Sequence, residues 1–176
     1  MIFEIRSNDE FLYKQTKSII ENLLSLRIID DPMYDKLFTI QINKVEDKLC
    51  IYSSFSKKFN SNTPIEFSHL VKIIETICQA YVHKLSNLVY SPFKQQITFH
   101  HKKLYLNDIH NLILLNLIIF KNGVCKNNLY KCLWNKDKEI NMNKLDTHLT
   151  NLKSFIKEEL AVDFPITTKK NILMIN

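Results

Sequence analysis

Residues 143–156 read NKLDTHLTNLKSFI, and their side chains divide into two chemistries once they are wound on a helix. At helical period, Leu145, Leu149, Leu152, Ile156 and Leu160 fall on one apolar stripe. The opposite face carries Lys144, Thr147, His148, Thr150, Asn151, Ser154 and Lys157, with Asp146 at its edge as the one carboxylate. Short hydrogen-bonding groups and cations of this kind can meet base edges without repelling phosphates.

Other constellations carry less. His100 and His101 are neighbours on an expected strand, where they point to opposite faces and cannot chelate together. Asp146 and His148, two apart on a helix, do not face each other and make no catalytic dyad. Cys50, Cys78, Cys125 and Cys132 are scattered without a CxxC or the paired Cys/His spacing of a zinc site, and Cys78 and Cys132 read as small core residues. Trp134 could offer a stacking platform, but its place at a helix end reads as core. With no nucleophile–base pair, phosphate loop or metal cluster, the expectation is neither enzyme, cofactor nor bound metal.

Charge narrows the partner. Of 24 Lys+Arg and 18 Asp+Glu, 11 of each lie in residues 1–85, leaving 13 basic and 7 acidic groups in 86–176, so the second half holds the whole formal +6. A neutral half joined to a basic half suits an anionic polymer, although a solvated basic face gives the same count. The apolar fraction, 45%, is that of an ordinary globular protein. The opening Met1-Ile-Phe-Glu-Ile-Arg does not read as a leader, and the apolar run Leu112–Phe120 is interrupted by Asn116 and too short to span a bilayer. No membrane partner and a cytoplasmic location are therefore expected.

The elements that must position these residues follow from periodicity and punctuation. Residues 2–5 read as a strand, Ser7, Asn8 and Asp9 as caps, and a helix then runs to about Leu26 with Phe11, Ile19, Leu23 and Leu26 apolar. Residues 28–36 carry Asp30-Asp31-Pro32 and read as a turn. Leu37–Ile42 and Lys48–Ser53 read as a hairpin across a polar Asn43–Asp47 segment, Phe55–Thr63 as a loop, and Pro64–Tyr81 as a helix with Phe67, Leu70, Ile73, Ile74 and Ile77 apolar. The order βαββα ends near residue 83, with a joint over His83–Ser91. Beyond it come strands at Leu88–Tyr90, Gln96–His100 and Lys103–Leu106. Asn107 caps a helix with Ile109, Leu112, Ile113, Leu117 and Phe120 on one face, and Gly123, the one glycine, stands where a left-handed stop is needed. A short helix Lys126–Trp134, a loop Asn135–Met142 and the helix described first follow. Val162–Ile166, a turn Thr167–Asn171 and Ile172–Ile175 read as a closing hairpin.

Strands, three helices and a hairpin over 84–176 make a winged helix-turn-helix, and several positions match one family. Leu106-Asn107 opens the first helix where that family has Leu-Thr, Gly123-Val124 links the first two helices, and Leu129 with Leu133-Trp134 stands for Leu and Val-Trp. Leu145-Asp146-Thr147-His148-Leu149 with Leu152-Lys153 matches Val-Asp-Val-His-Ile with Leu-Arg. Ile166 with Thr168-Lys169-Lys170-Asn171-Ile172 matches the wing's Ile with Thr-Val-Arg-Gly-Val. This half resembles the DNA-binding domain of OmpR/PhoB-type response regulators. Residues 1–83 resemble a reduced receiver domain, through the strand and Ser7-Asn8-Asp9 turn and through Thr63-Pro64-Ile65-Glu66-Phe67. The expected fold class is thus α+β, a small βαββα receiver-like domain followed by the winged helix.

The resemblance implies a transcriptional regulator bound to double-stranded DNA. Lys144, Thr147, Thr150 and Asn151 would face bases in the major groove, His148, Lys153 and Lys157 would hold phosphates, and Lys169 with Lys170 would reach the minor groove. Departures refine this. Cys125 stands at a usual capping Ser, Asn171 at the wing glycine, and Leu173-Met174 at a Gly-Tyr pair. No arginine occurs in 86–176, so bidentate guanine reading is largely absent, whereas Asn151 suits adenine and the Thr methyls suit thymine, implying an AT-rich site. The receiver's acidic pair and switch lysine are replaced by Ser7, Asn8 and Thr63, and no strand ends in a nucleophilic aspartate, implying independence of phosphorylation. A homodimer through the N-terminal half, and RNA polymerase contact through Asn135–Met142, are further partners the resemblance allows. The alternative is a winged-helix module that docks on another regulator or on polymerase without DNA.

Overall fold

The computed structural model describes residues 3–24, 38–120, 122–134 and 140–175. They form two compact units that divide after His83. No described helix is long and apolar enough to cross a membrane.

In the first unit β1 (Phe3–Ser7) leads into α1 (Glu10–Leu24), whose start is capped by Asp9: the Leu12 amide donates to Asp9 Oδ1 at 2.9 Å. Strands β2 (Phe38–Val45), β3 (Lys48–Ser53) and β4 (Phe59–Asn62) precede α2 (Phe67–Ala80). Alternation fixes the sheet's two faces: Ile40, Ile42, Leu49 and Ile51 are fully buried, while their neighbours Gln41, Asn43, Cys50 and Tyr52 are not. The core is completed by Ile5 and Phe38 of the sheet, Leu12, Ile19 and Ile20 of α1, Leu70, Ile73, Ile74, Ile77 and Cys78 of α2, and Tyr81 just after it.

Three expectations for this unit are corrected. The sheet runs β1-β2-β3-β4, with β1 parallel to β2 and the rest antiparallel, not in the doubly wound parallel order of a receiver. The cause is local. Glu46 takes a positive φ of 52° and the β2–β3 turn is closed in two residues, whereas a parallel pair needs a crossover of a dozen or more. The expected loop Phe55–Thr63 contains β4, a polar strand of Phe-Asn-Ser-Asn that lacks an apolar signature, so the order is βαβββα. Phe11 and Phe67, expected on apolar stripes, are 68% and 58% exposed, each in the first turn of its helix. The expected turn at 28–36 lies outside the described residues.

The second unit begins with β5 (His83–Leu85), β6 (Leu88–Ser91), β7 (Gln96–Phe99) and β8 (Lys102–Tyr105), paired in that order, one strand more than expected. His100 and His101 are the β7–β8 turn, with His100 at φ 51°, and not strand residues. Tyr90 is fully buried and ties the sheet to the next helix, its hydroxyl donating to Asn111 Oδ1 at 2.6 Å while the Asn111 amide donates to the Pro92 carbonyl at 3.1 Å. That helix, α3 (Asp108–Ile119), is capped by Asn107, whose Oδ1 accepts from the His110 amide at 2.8 Å. It is buried almost all round, so it is the centre of the unit and not an amphipathic surface helix.

Helices α4 (Lys126–Leu133) and α5 (Met142–Leu160) pack on α3 and on each other, and the five leucine and isoleucine positions read from periodicity in α5 are all buried. The hairpin is tighter than expected: β10 (Ile166–Lys169) and β11 (Ile172–Ile175) are joined by Lys170 and Asn171 alone, at φ 48° and 66°, the signs of a type I′ turn. A short strand β9 (Val124–Cys125) pairs with β11, so the hairpin is stitched to the start of α4. Gly123 takes φ +86°, and a Cβ there would stand 2.8 Å from the Leu173 carbonyl oxygen. The glycine thus answers both a left-handed backbone and the close passage of β11. Three helices closed by this hairpin are a winged-helix arrangement.

Candidate nucleic-acid interface

On α5 the apolar stripe faces inward, which turns Asn143, Thr147, Thr150, Asn151, Ser154 and Lys157 to solvent. Asn141 fixes the helix start, its side chain accepting from the Lys144 amide at 3.2 Å. The Thr147 hydroxyl donates back to the Asn143 carbonyl at 2.8 Å, an in-helix bond that uses its one proton. Asn143, Asp146, Thr147, Thr150 and Asn151 border a shallow groove. Asp146 and Thr150 also border a second groove, together with Lys153 and with Thr168 of the wing. The exposed face of α5 and the hairpin are therefore continuous.

Asp146 would spoil that surface if its charge were uncompensated. Lys126, the first residue of α4, meets it with Nζ in an ion pair, and the lysine side chain is only 18% exposed. Sequence reasoning missed Lys126, and the signal for it was its place at the start of α4, twenty residues before the carboxylate. Lys157 also has an acidic neighbour, Asp163 at 3.0 Å, but both are largely exposed and such pairs contribute little. Lys169 and Lys170 are exposed at the hairpin tip.

Two expected site residues look inward. His148 is half-buried, its ring 5.5 Å from the Trp134 ring and 6.0 Å from that of His110, so it braces α5 against α3 and the end of α4 and does not stand among the outward groups. Lys144 places Nζ 4.4 Å from the Trp134 ring centroid, a cation–π contact at the edge of the face. Trp134 is thereby a packing residue, clasped by Tyr130, His148 and Lys144. His110 Nδ1 has no hydrogen-bond partner among the described residues, and burial, followed by the charge of His148, pushes its pKa below the usual histidine value. Among the described residues no group of three or more His, Cys, Asp or Glu is placed to hold a metal ion.

No protein-family model matches the chain, and no curated protein does. Among solved structures, the DNA-binding domain of E. coli CadC is similar to it, at 14% identity and a TM-score of 0.45, over 53% of this chain and 89% of that one. A likeness at that level identifies neither a family nor a function.

Proposed function

We propose that the second unit binds double-stranded DNA, with α5 in the major groove and the Lys169–Lys170 hairpin tip against the backbone and minor groove beside it. The observation that carries this reading is the continuity of the polar α5 face over residues 143–154 with the wing, where the one carboxylate, Asp146, is compensated by Lys126, while Glu158 and Glu159 stand exposed in the last turn. The net basic charge of residues 86–176 supports it. Thr147, Thr150 and Asn151 are the base-facing groups, and Lys153, Lys157, Lys169 and Lys170 the phosphate-facing ones. Without arginine on this surface, the preferred site is AT-rich, with Asn151 on adenine.

In the first unit, both oxygens of Asp9 are engaged, one by the Leu12 amide and one by Lys44 at 3.2 Å. With Asp9 held in this way as the cap of α1, the first unit is read as acting by protein contact and not by aspartyl phosphorylation. The deciding experiment is a salt titration on AT-rich and GC-rich duplexes. Some three to five lysine–phosphate contacts give a slope of log K against log salt of about −3 to −4.5. Lys170→Ala should lower affinity for both duplexes alike, and Asn151→Ala should remove the AT preference. Weak binding, flat in salt and blind to both substitutions, would instead make the surface a protein-docking face.

A further inference from the structure

The first unit leaves one side of its sheet without a helix among the described residues, and the register states which side chains share that side. Opposed residues on neighbouring strands lie on one face, which gives three rows: Val45, Lys48 and Asn62, then Asn43, Cys50 and Asn60, then Arg6, Gln41 and Tyr52. The first two rows and Tyr52 of the third, with Lys58 just before β4, border a trough of about 830 Å³ over β2, β3 and β4. Its volume is in the range of about 300–1,000 Å³ typical of ligand sites.

The chemistry of the trough is specific in kind. Lys48 and Lys58 line it and no carboxylate does. Glu46 and Asp47 lie in the turn beyond its end, and Glu4 is engaged by Arg6 at 3.1 Å and by the Thr39 hydroxyl at 3.2 Å. Asn43, Asn60 and Asn62 each present a donor and an acceptor, as base edges require, whereas a carboxylate ligand would call for donors alone. Tyr52, on the inner strand β3, offers a ring to a base. Cations for phosphates, amides for base edges and an aromatic platform are the parts of a single-strand site, and only an unstacked strand can use the ring.

We propose that this sheet face binds a short stretch of single-stranded nucleic acid, with a base stacked on Tyr52, Asn43 and Asn60 against base edges, and Lys48 and Lys58 on phosphates. Rows repeat about every 7 Å along the strands, so the trough holds about two or three nucleotides. The site is separate from the duplex-binding surface of the second unit, and either can fail without the other.

The test uses the full chain and fluorescence anisotropy with labelled oligo(dT) and oligo(U) strands, beside the duplexes above. Tyr52→Ala should weaken single-strand binding about tenfold and Tyr52→Phe should retain it, because the ring and not the hydroxyl does the stacking. Lys58→Ala should weaken it several-fold and flatten its salt dependence, while none of the three changes duplex affinity. A preference between oligo(dT) and oligo(U) then reports contact with the 2′-hydroxyl, and either preference fits the site. The proposal fails if neither strand binds, if Tyr52→Ala leaves affinity unchanged with the fold intact by circular dichroism, or if Lys170→Ala abolishes binding instead. It fails equally if poly-glutamate displaces the strands as well as unlabelled oligonucleotide does, since that needs charge alone.

Discussion

Asp146 is the residue on which the DNA reading of α5 turns, because its carboxylate faces the same groove as Thr147 and Asn151. Lys126→Ala should therefore weaken duplex binding about tenfold, more than loss of one distant cation, and adding Asp146→Asn should restore most of the affinity. Anisotropy titrations of the two single variants and the double variant give that cycle. His110 makes a second residue-scale prediction. Its folded-state pKa lies below the ordinary value, so the unfolded chain takes up the proton first as pH falls. Stability should thus be level above the usual histidine value of about 6.5 and decline as pH drops from there toward the folded pKa. Urea melts between neutral and mildly acidic pH should show the decline, and His110→Leu should flatten it. Neither feature was legible in advance: a helical wheel puts Asp146 at the edge of the polar face but puts His148 on it, and the partners that define the two, Lys126 and Trp134 with His110, arrive from other helices.

Helix α5 and the wing were legible because their signals are local. A long apolar stripe under a polar face survives any context, and so do Thr-Thr-Lys-Lys-Asn between two apolar runs. What escaped was decided by pairing. Strand β4 is Phe-Asn-Ser-Asn and reads as loop until β3 supplies its ladder, and β9 is two residues that become a strand only beside β11. Receiver-like order failed for a different reason: the hairpin read over Leu37–Ser53 forms, and an antiparallel β2–β3 pair has no place in a doubly wound parallel sheet. At this scale the decisive position is Gly123. Gly123→Ala places a methyl group 2.5 Å from Met174 Cγ and 2.8 Å from the Leu173 carbonyl at a φ of +86°. The side chain can move but the carbonyl cannot without disturbing the β9–β11 pairing. A loss of about 2 kcal/mol or more is expected in denaturant titration, with duplex affinity falling alongside.

Across the molecule, the single glycine means that left-handed turns fall to residues that resist them. Glu46, Ser86 and Ala161 take φ of 52°, 54° and 56°, the last as the stop of α5. Relief of side-chain strain exceeds the entropy cost of glycine by about 0.5–1 kcal/mol at each such position. Glu46→Gly, Ser86→Gly and Ala161→Gly together should raise the unfolding temperature by several degrees, measured by calorimetry, without altering duplex binding. The charge division pointed to the second unit as the one to meet an anionic polymer, but composition could not forecast the open face of the first sheet, whose residues lie in separate strands and share a side only through register. One further consequence follows from β9. Because Leu173 pairs with Val124 and the Asn171 carbonyl accepts from the Lys126 amide at 3.0 Å, the hairpin and the first turn of α4 are jaws of one caliper. On the DNA-binding reading proposed above, such a device would hold the hairpin at a fixed distance from α4, and selectivity would come also from the groove width of the duplex at positions that no side chain touches.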